Sequence, residues 1–180
     1  MSDCGEVTDL SALARCASLD SLTLASGNVE DLSPLARCKA LRTLVMYRCD
    51  RVRDLSALAL CPLLRTLDLS DCEGLEDVSG LAVCPSLRAL SLSECLRVKD
   101  VSALALCRLL HTLNLSDCEG VKTLSPLVSC PSLHTLNLSN SLADFSMLAK
   151  CRSLRTLYIG GALYFDSRAS LTAVGIDCKY

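Results

Sequence analysis

CPLLRTLDLSDCEGLEDVSGLAV, from Cys61 to Val83, is the segment whose pattern decides the fold. Its leucines at 64, 67 and 69 alternate with polar residues, which is typical of a half-buried strand. The rest of the segment returns the chain to Cys84, where the pattern starts again. Because a return this short has no room for a full helix, the pattern predicts adjacent parallel strands joined by tight turns.

The pattern recurs seven times along the chain. Each copy starts at a cysteine that is followed by apolar residues three, six and eight positions later. These cysteines are Cys16, Cys38, Cys61, Cys84, Cys107, Cys130 and Cys151. A second set, placed three residues after the last apolar strand residue, comprises Cys4, Cys49, Cys72, Cys95 and Cys118. A period of about 23 residues predicts a solenoid whose leucines and cysteines fill the space between stacked units.

The segments between strands are equally periodic, as in the sequence DLSALA at residues 54–59. In two copies Pro34 or Pro126 follows the serine, which predicts that the serine is an N-cap and that each return contains a 3₁₀ helix or a single α turn. The predicted fold is an α/β solenoid. It is a right-handed horseshoe or arc with a parallel β-sheet on the concave face and 3₁₀ helices or short turns on the convex face.

The period sets the predicted boundaries. Residues 16–159 contain seven strands with their returns, and residues 1–15 contain only the second half of a unit, which predicts an N-terminal half repeat. Residues 160–180 lack the period and are predicted to form an irregular C-terminal cap. A short helix at 168–174, ended by Gly175, is expected within this cap.

Composition and charge narrow the classes of partner. The chain has 180 residues, of which 51% are hydrophobic but only 3% aromatic, so the core is expected to be aliphatic. A formal net charge of −2 argues against nucleic acid and against an anionic membrane surface. No apolar run is long enough to span a membrane, and the first residues lack the basic and apolar parts of a secretory signal.

The thirteen cysteines are odd in number and follow the same spacing as the leucines. They are therefore predicted to be reduced packing residues, which indicates an intracellular, cytoplasmic protein. Buried thiols are expected to act as small apolar groups, and the second set also to donate weak S–H bonds to turn carbonyls. Cys178 lies outside the period and is the predicted exposed thiol.

The units at residues 4–159 resemble leucine-rich repeats. The returns, such as DLSPLA at 31–36, are similar to the short repeats of internalins and of the leucine-rich regulator of protein phosphatase 1. The C-x-x-L-x-x-L-x-L-x-x-C pattern is similar to the cysteine-containing repeats of F-box substrate receptors. The resemblance implies a solenoid that binds proteins, but it names no partner, because members of the family bind unrelated proteins.

Equivalent residues of stacked strands form columns about 4.8 Å apart on the concave face. One rim is predicted to be basic, the middle rich in hydroxyl groups, and the other rim acidic. A partner with charges in the opposite sense would fit, although duplicated units also copy surface residues that bind nothing. Val45, Tyr47, Arg48 and Tyr158 interrupt their columns, and aromatic residues and arginine are frequent binding anchors. The predicted partner-binding residues are Arg42, Val45, Tyr47, Arg48, Arg65, Asp68, Arg88, His111, Asn114, His134, Asn137, Arg155 and Tyr158.

No motif for catalysis is present, neither a G-x-S-x-G sequence nor a phosphate-binding loop. No two cysteines are closer than eleven residues, whereas zinc sites favour local pairs. His111 and His134 occupy equivalent positions on neighbouring strands, so their rings are expected to lie close together, as solvated surface groups or as a two-histidine metal or pH-sensing site. The sequence therefore predicts no enzyme, no cofactor, no metal and no small-molecule substrate.

Three hypotheses for function follow. The first is a non-catalytic protein–protein interaction module that presents its concave surface to a protein partner. The second is a structural subunit of a larger assembly, packed through its N-terminal end. The third is RNA association through Arg42, Arg65 and Arg88, which the overall acidity and the lack of stacking aromatics among these arginines oppose.

Overall fold

The computed structural model describes residues 6–161, residue 172 and residues 175–179. Within these ranges eight parallel strands form one open sheet, in which each strand pairs with the next along the chain. The strands are β1 (Ser21–Ala25), β2 (Thr43–Tyr47), β3 (Thr66–Asp68), β4 (Ala89–Ser91), β5 (Thr112–Asn114), β6 (Thr135–Asn137), β7 (Thr156–Tyr158) and β8 (Asp177–Lys179). This architecture confirms the predicted solenoid.

The central leucines of neighbouring strands lie in register and form the middle of the core. Leu44, Leu67 and Leu90 are paired across β2, β3 and β4, and each is at most 2% exposed. The residues on either side of each leucine are only partly buried, because side chains alternate between the two faces of a strand. The register confirms the predicted columns.

Each return in the described part of the chain contains a five-residue 3₁₀ helix. The seven helices are η1 (Ser11–Arg15), η2 (Ser33–Arg37), η3 (Ser56–Leu60), η4 (Ser79–Val83), η5 (Ser102–Leu106), η6 (Ser125–Ser129) and η7 (Ser146–Lys150). Hydrogen bonds between residues three apart define them, as in η3, where the Leu58 N–H donates to the Leu55 carbonyl at 3.0 Å.

The prediction that Ser33 and Ser125 are N-caps is wrong, because η2 and η6 begin at these serines and the N-cap positions are Leu32 and Leu124. In η3 the Ser56 N–H and hydroxyl donate to Asp54 Oδ1 and Oδ2 at 2.8 and 3.0 Å, so the aspartate two residues earlier holds the start of the helix. The same pair recurs in five other returns, and Thr123 replaces the aspartate in the remaining one. These hydrogen bonds lower the pKa of the Asp54 and Asp100 carboxyls, because they favour the ionised form. Their contribution to stability is thus present above the unfolded pKa and is lost as the pH falls through the lower folded pKa.

Seven of the ten buried cysteines donate to carbonyl oxygens of the preceding unit. In the second set, Cys72 Sγ lies 3.0 Å from the Met46 oxygen and Cys118 Sγ lies 2.8 Å from the Leu92 oxygen. The thiols donate as predicted, but these acceptors lie in or directly after a strand rather than in a turn. Cysteines of the first set also donate, as in Cys61, whose Sγ lies 3.2 Å from the Leu35 oxygen. The thiols therefore link neighbouring units in addition to filling space.

Of the twelve cysteines in the described residues, ten are buried. Burial raises the pKa of the thiol to about 11 at Cys95 and Cys107, and to about 12 at Cys84 and Cys118. Cys16 is exposed, whereas Cys178 is only partly accessible and packs against the core. The prediction that Cys178 is the most exposed thiol is therefore wrong within the described chain.

Native-state alkylation should separate these thiols. We expect Cys16 to react with N-ethylmaleimide first, while Cys95 and Cys118 stay unmodified until the protein unfolds, because a buried thiol is both inaccessible and protonated. Peptide mass spectrometry after a timed pulse measures each site. Modification of Cys95 at the same rate as Cys16 would contradict the described packing.

One residue with a left-handed backbone lies one to three positions beyond the end of each of the strands β1 to β7. Six such residues have φ between 55° and 60°, namely Ser26, Arg48, Asp71, Glu94, Asp117 and Asn140, and Gly161 has φ 69°. This column is the one predicted as the acidic rim. Each N–H of the six donates to a carbonyl of the next unit, as in Asp71, whose N–H donates to the Ser93 oxygen at 2.8 Å. Aspartate and asparagine tolerate this conformation better than most residues, so the backbone also favours the composition of the rim.

The eighth strand was not predicted. β8 pairs in parallel with β7, with Thr156 opposite Asp177 and Tyr158 opposite Lys179, and Ile176 beside it is 2% exposed. The solenoid therefore continues for one strand into the segment predicted as an irregular cap. The expected helix at 168–174 lies, apart from residue 172, outside the described residues, as does the start of the half repeat.

Candidate protein-binding surface

The solvent-facing side of the sheet is the candidate surface. Its middle column runs through Thr23, Val45, Asp68, Ser91, Asn114, Asn137 and Tyr158, which the strand register places side by side. Apart from Thr23 on the edge strand β1, these side chains come from strands that are hydrogen-bonded to a neighbour on both sides. Such a surface loses little conformational freedom when it binds.

A preformed cluster lies at the end of β2. Arg48 Nε is 2.9 Å from Asp71 Oδ2, and the Arg48 guanidinium carbon is 5.7 Å from the centroid of the Tyr47 ring. The Arg48 side chain is 60% exposed, whereas that of Asp71 is 16% exposed. Val45 lies next to this group on the same strand face. Asp71 was missed as a site residue, because sequence columns do not show that it anchors Arg48.

A second aromatic anchor lies at the other end of the sheet. Tyr158 is 37% exposed and stands between Asn137 and Lys179 in the register. Lys179 Nζ is 5.9 Å from the centroid of the Tyr158 ring, which is within cation–π range. Lys179 was missed because it belongs to the unpredicted strand β8.

Three predicted contact residues between the two anchors accept hydrogen bonds from the backbone through their side-chain oxygens. Each accepts the N–H of the residue two positions later, where the chain leaves the strand: Asp68 from Ser70 at 2.9 Å, Asn114 from Ser116 at 3.0 Å, and Asn137 from Ser139 at 3.0 Å. Serine hydroxyls link neighbouring strands, with oxygen–oxygen distances of 2.8 Å for Ser70–Ser91 and 2.9 Å for Ser93–Ser116. The middle of the concave face is therefore a polar surface whose side chains are already held by hydrogen bonds within the protein.

The basic column is less uniform than the sequence suggests. Arg42 pairs with Asp20 at 2.9 Å, and Arg155 Nη1 donates to the Arg152 carbonyl at 2.8 Å. Arg65 and Arg88 are exposed and form no ion pair within the described residues. These two arginines are the part of the column that is available to an acidic partner.

His111 and His134 stack as expected, with ring centroids 4.5 Å apart and an angle of 17° between the ring planes. His134 Nδ1 lies 3.3 Å from the Ser132 carbonyl oxygen. In the described part of the chain, no three histidine, cysteine, aspartate or glutamate side chains are grouped to hold a metal. The two stacked imidazole rings lie in the same column as the arginines of the basic rim.

Two protein-family models match parts of the sequence. Models described as "Leucine Rich repeats (2 copies)" and "Leucine Rich repeat" match residues 108–150 and 60–84. No significant match is found among curated proteins. No helix of the described residues is long and apolar enough to cross a membrane.

Solved structures match nearly the whole chain. An internalin (inlF) from Listeria monocytogenes superposes with a TM-score of 0.82 at 27% identity, over 96% of this chain and 50% of that one. An internalin C2 from the same organism gives 0.67 at 28% identity, over 82% of this chain and 64% of the other. A Leptospira interrogans LRR protein gives 0.64 at 14% identity, over 96% and 52%, which compares the fold alone.

The chain thus spans about half the length of the first internalin. The repeats matched by the family models have the same strand, turn and 3₁₀ helix as the units that they do not cover. Together with the parallel open sheet, these matches show that the chain is built from leucine-rich repeats.

Proposed function

We propose that this chain is a non-catalytic module that binds a protein partner on its concave face. The leucine-rich repeat fold is generally a protein-interaction module and is typically without catalytic activity. The observation that carries the proposal is the preformed cluster of Val45, Tyr47, Arg48 and Asp71, which interrupts an otherwise repetitive polar surface. None of these four side chains belongs to the buried core.

The two anchors set the size of the contact. Tyr47 and Tyr158 are separated by five strand spacings, which is roughly 24 Å at about 4.8 Å per strand. A partner that touches both must therefore be a folded domain or a segment of that length. Tyrosine supplies a large contact area with few rotatable bonds, and Arg48 is already held by Asp71. These residues would therefore dominate the binding energy, while the polar residues between them supply hydrogen bonds.

The chemistry of the face and of the thiols supports the rest of the proposal. Arg65 and Arg88 favour an acidic region of the partner over one rim, but they are not interleaved with aromatics as in a nucleic-acid site. The unpaired buried cysteines support a reducing, intracellular compartment.

Proximity labelling or affinity purification under reducing conditions tests the proposal. The variant Tyr47→Ala/Tyr158→Ala should lose a defined protein that the wild type retains, and the purified pair should bind on the order of 100-fold more weakly. Leu96→Ala is the matched control, because Leu96 is an exposed apolar residue off the concave face. A partner that is retained equally by all three proteins would overturn the concave-face proposal and shift attention to the ends and edges of the solenoid.

A further inference from the structure

A second surface lies along one long edge of the solenoid. It consists of the segments that lead from each 3₁₀ helix to the next strand, and we name it the helix-to-strand edge. Its segments are residues 14–20, 36–42, 59–65, 82–88, 105–111, 128–134 and 149–155. Because the helices and strands of neighbouring units pack side by side, these segments also lie side by side.

Exposed apolar side chains form a stripe along the middle of this edge. Leu60, Val83 and Leu106 are the last residues of the adjacent helices η3, η4 and η5, and they are 55%, 63% and 63% exposed. Leu63 and Leu109 add to it, at 36% and 44% exposed. Of the large apolar side chains exposed in the described chain, only Leu96 and Tyr158 lie elsewhere. Such a concentration marks an interaction site more often than a scattered set does.

The charges around this stripe have one sign. The edge segments carry the basic residues Arg15, Arg37, Lys39, Arg42, Arg65, Arg88, Arg108, Lys150, Arg152 and Arg155. Asp20 is the one acidic residue in these segments, and it is already paired with Arg42. The opposite edge, from strand to helix, carries most of the aspartates and glutamates. The small net charge of the chain therefore conceals a separation of charge across the solenoid.

Cations lie at both ends of the stripe. Lys39 Nζ donates to the Leu60 carbonyl at 2.8 Å, which holds the ammonium group beside the first leucine. Beyond the last leucine, a groove of about 460 Å³ is lined by Val128, Pro131, Lys150 and Arg152. The edge thus has an apolar centre with a basic margin at either end.

We propose that the helix-to-strand edge binds an acidic amphipathic helix of a partner protein. The strands of neighbouring units lie about 4.8 Å apart, which sets the approximate repeat of the units along the stripe. One turn of an α-helix rises 5.4 Å, whereas same-side residues of an extended strand are about 6.6 Å apart. A helix with leucine-like residues once per turn therefore matches the stripe, and carboxylates on its flanks match the basic margins.

The stripe differs from a membrane-binding surface. Peripheral membrane sites commonly present tryptophan or phenylalanine with leucine, and this edge has neither aromatic type in its segments. The stripe is also narrow and only three units long, which suits a single rod-shaped ligand. The stripe contains none of the concave-face anchors Tyr47, Arg48 and Tyr158, although Arg65 and Arg88 border both surfaces. Each of the two proposals can therefore fail without the other.

A designed peptide provides the test. The probe is a fluorescent 21-residue peptide with leucines at one-turn intervals on one face, glutamates on both flanks and alanines elsewhere. The control peptides are a scramble of the same composition and a twin with lysine in place of glutamate. Fluorescence anisotropy against the full chain should give at least tenfold tighter binding for the probe than for either control. The affinity should fall as salt is added, because exposed charges are screened.

Paired variants locate the site. Val83→Ser/Leu106→Ser should weaken binding of the probe at least tenfold, whereas Leu96→Ser and Tyr47→Ala/Tyr158→Ala should leave it unchanged. Circular dichroism confirms that each variant is folded. Equal binding of probe and scramble, or no effect of Val83→Ser/Leu106→Ser, would overturn the proposal. It would also be overturned if the same variant abolished binding to phosphatidylserine–phosphatidylcholine vesicles, or self-association in sedimentation, while the peptide stayed unbound.

Discussion

Replacing Gly74 by alanine is expected to destabilise the protein by about 3 kcal/mol. A Cβ atom at this position would lie 1.8 Å from the Asp50 carbonyl oxygen and 2.9 Å from the Asp50 carbonyl carbon. Both atoms belong to the backbone of the preceding unit, so no side-chain rotation can relieve the overlap. The two units must therefore separate locally, which disturbs the hydrogen bonds that join them.

Urea titration followed by circular dichroism measures this loss. Gly27→Ala is the matched control, because its Cβ would have only ordinary contacts, the nearest being Cys49 Sγ at 3.6 Å. We expect Gly27→Ala to be neutral or slightly stabilising, since alanine restricts the unfolded chain. If Gly74→Ala unfolded at the same urea concentration as Gly27→Ala, the close approach of the two units would be refuted.

Phe145→Ala is expected to cost about 3–5 kcal/mol of unfolding free energy. Phe145 is 2% exposed and occupies the position that leucine or valine fills in the other returns. Among the described returns, this position holds an aromatic ring only at Phe145. Removing the ring should therefore leave a larger cavity than removing the leucine or valine at the same position of another return. The loss should appear in the same urea titration as a lower midpoint.

Phe145→Leu is the informative companion variant. It restores the side chain found at Leu124 in the preceding return, so we expect it to lose much less stability than Phe145→Ala. An equal loss for the two variants would show that the site needs an aromatic ring specifically. A loss below about 1 kcal/mol for Phe145→Ala would mean that the C-terminal unit contributes little to the measured transition.

The sequence predicts the solenoid well because packing imposes the period directly. A leucine such as Leu67 must face the core in every unit, so its spacing reveals both the strand and its register. The position of the 3₁₀ helices follows for the same reason. What starts each helix does not follow, because spacing alone does not distinguish a serine that caps from a serine that donates to Asp54.

The candidate site is less predictable, since it depends on contacts between side chains of different units. The sequence columns correctly place Val45 beside Asp68. They do not show that Arg48 pairs with Asp71, or that Asp68 accepts a hydrogen bond from the Ser70 N–H. β8 escaped prediction because residues 177–179 lack the leucine pattern. The apolar edge could have been found from sequence, since Leu60, Val83 and Leu106 form a column of their own, but its exposure required coordinates.

The contacts between neighbouring units determine how the length of the concave face can change. The backbone of every strand and every 3₁₀ helix of the described chain closely approaches only its counterparts in the adjacent units, and the side chains between strands and helices form one continuous core. Inserting or removing one whole unit would therefore recreate the same interface and lengthen or shorten the concave face by about 4.8 Å. The distance between Tyr47 and Tyr158 would thus change by one strand spacing for each unit inserted or removed between them. The core of the other units would need no change.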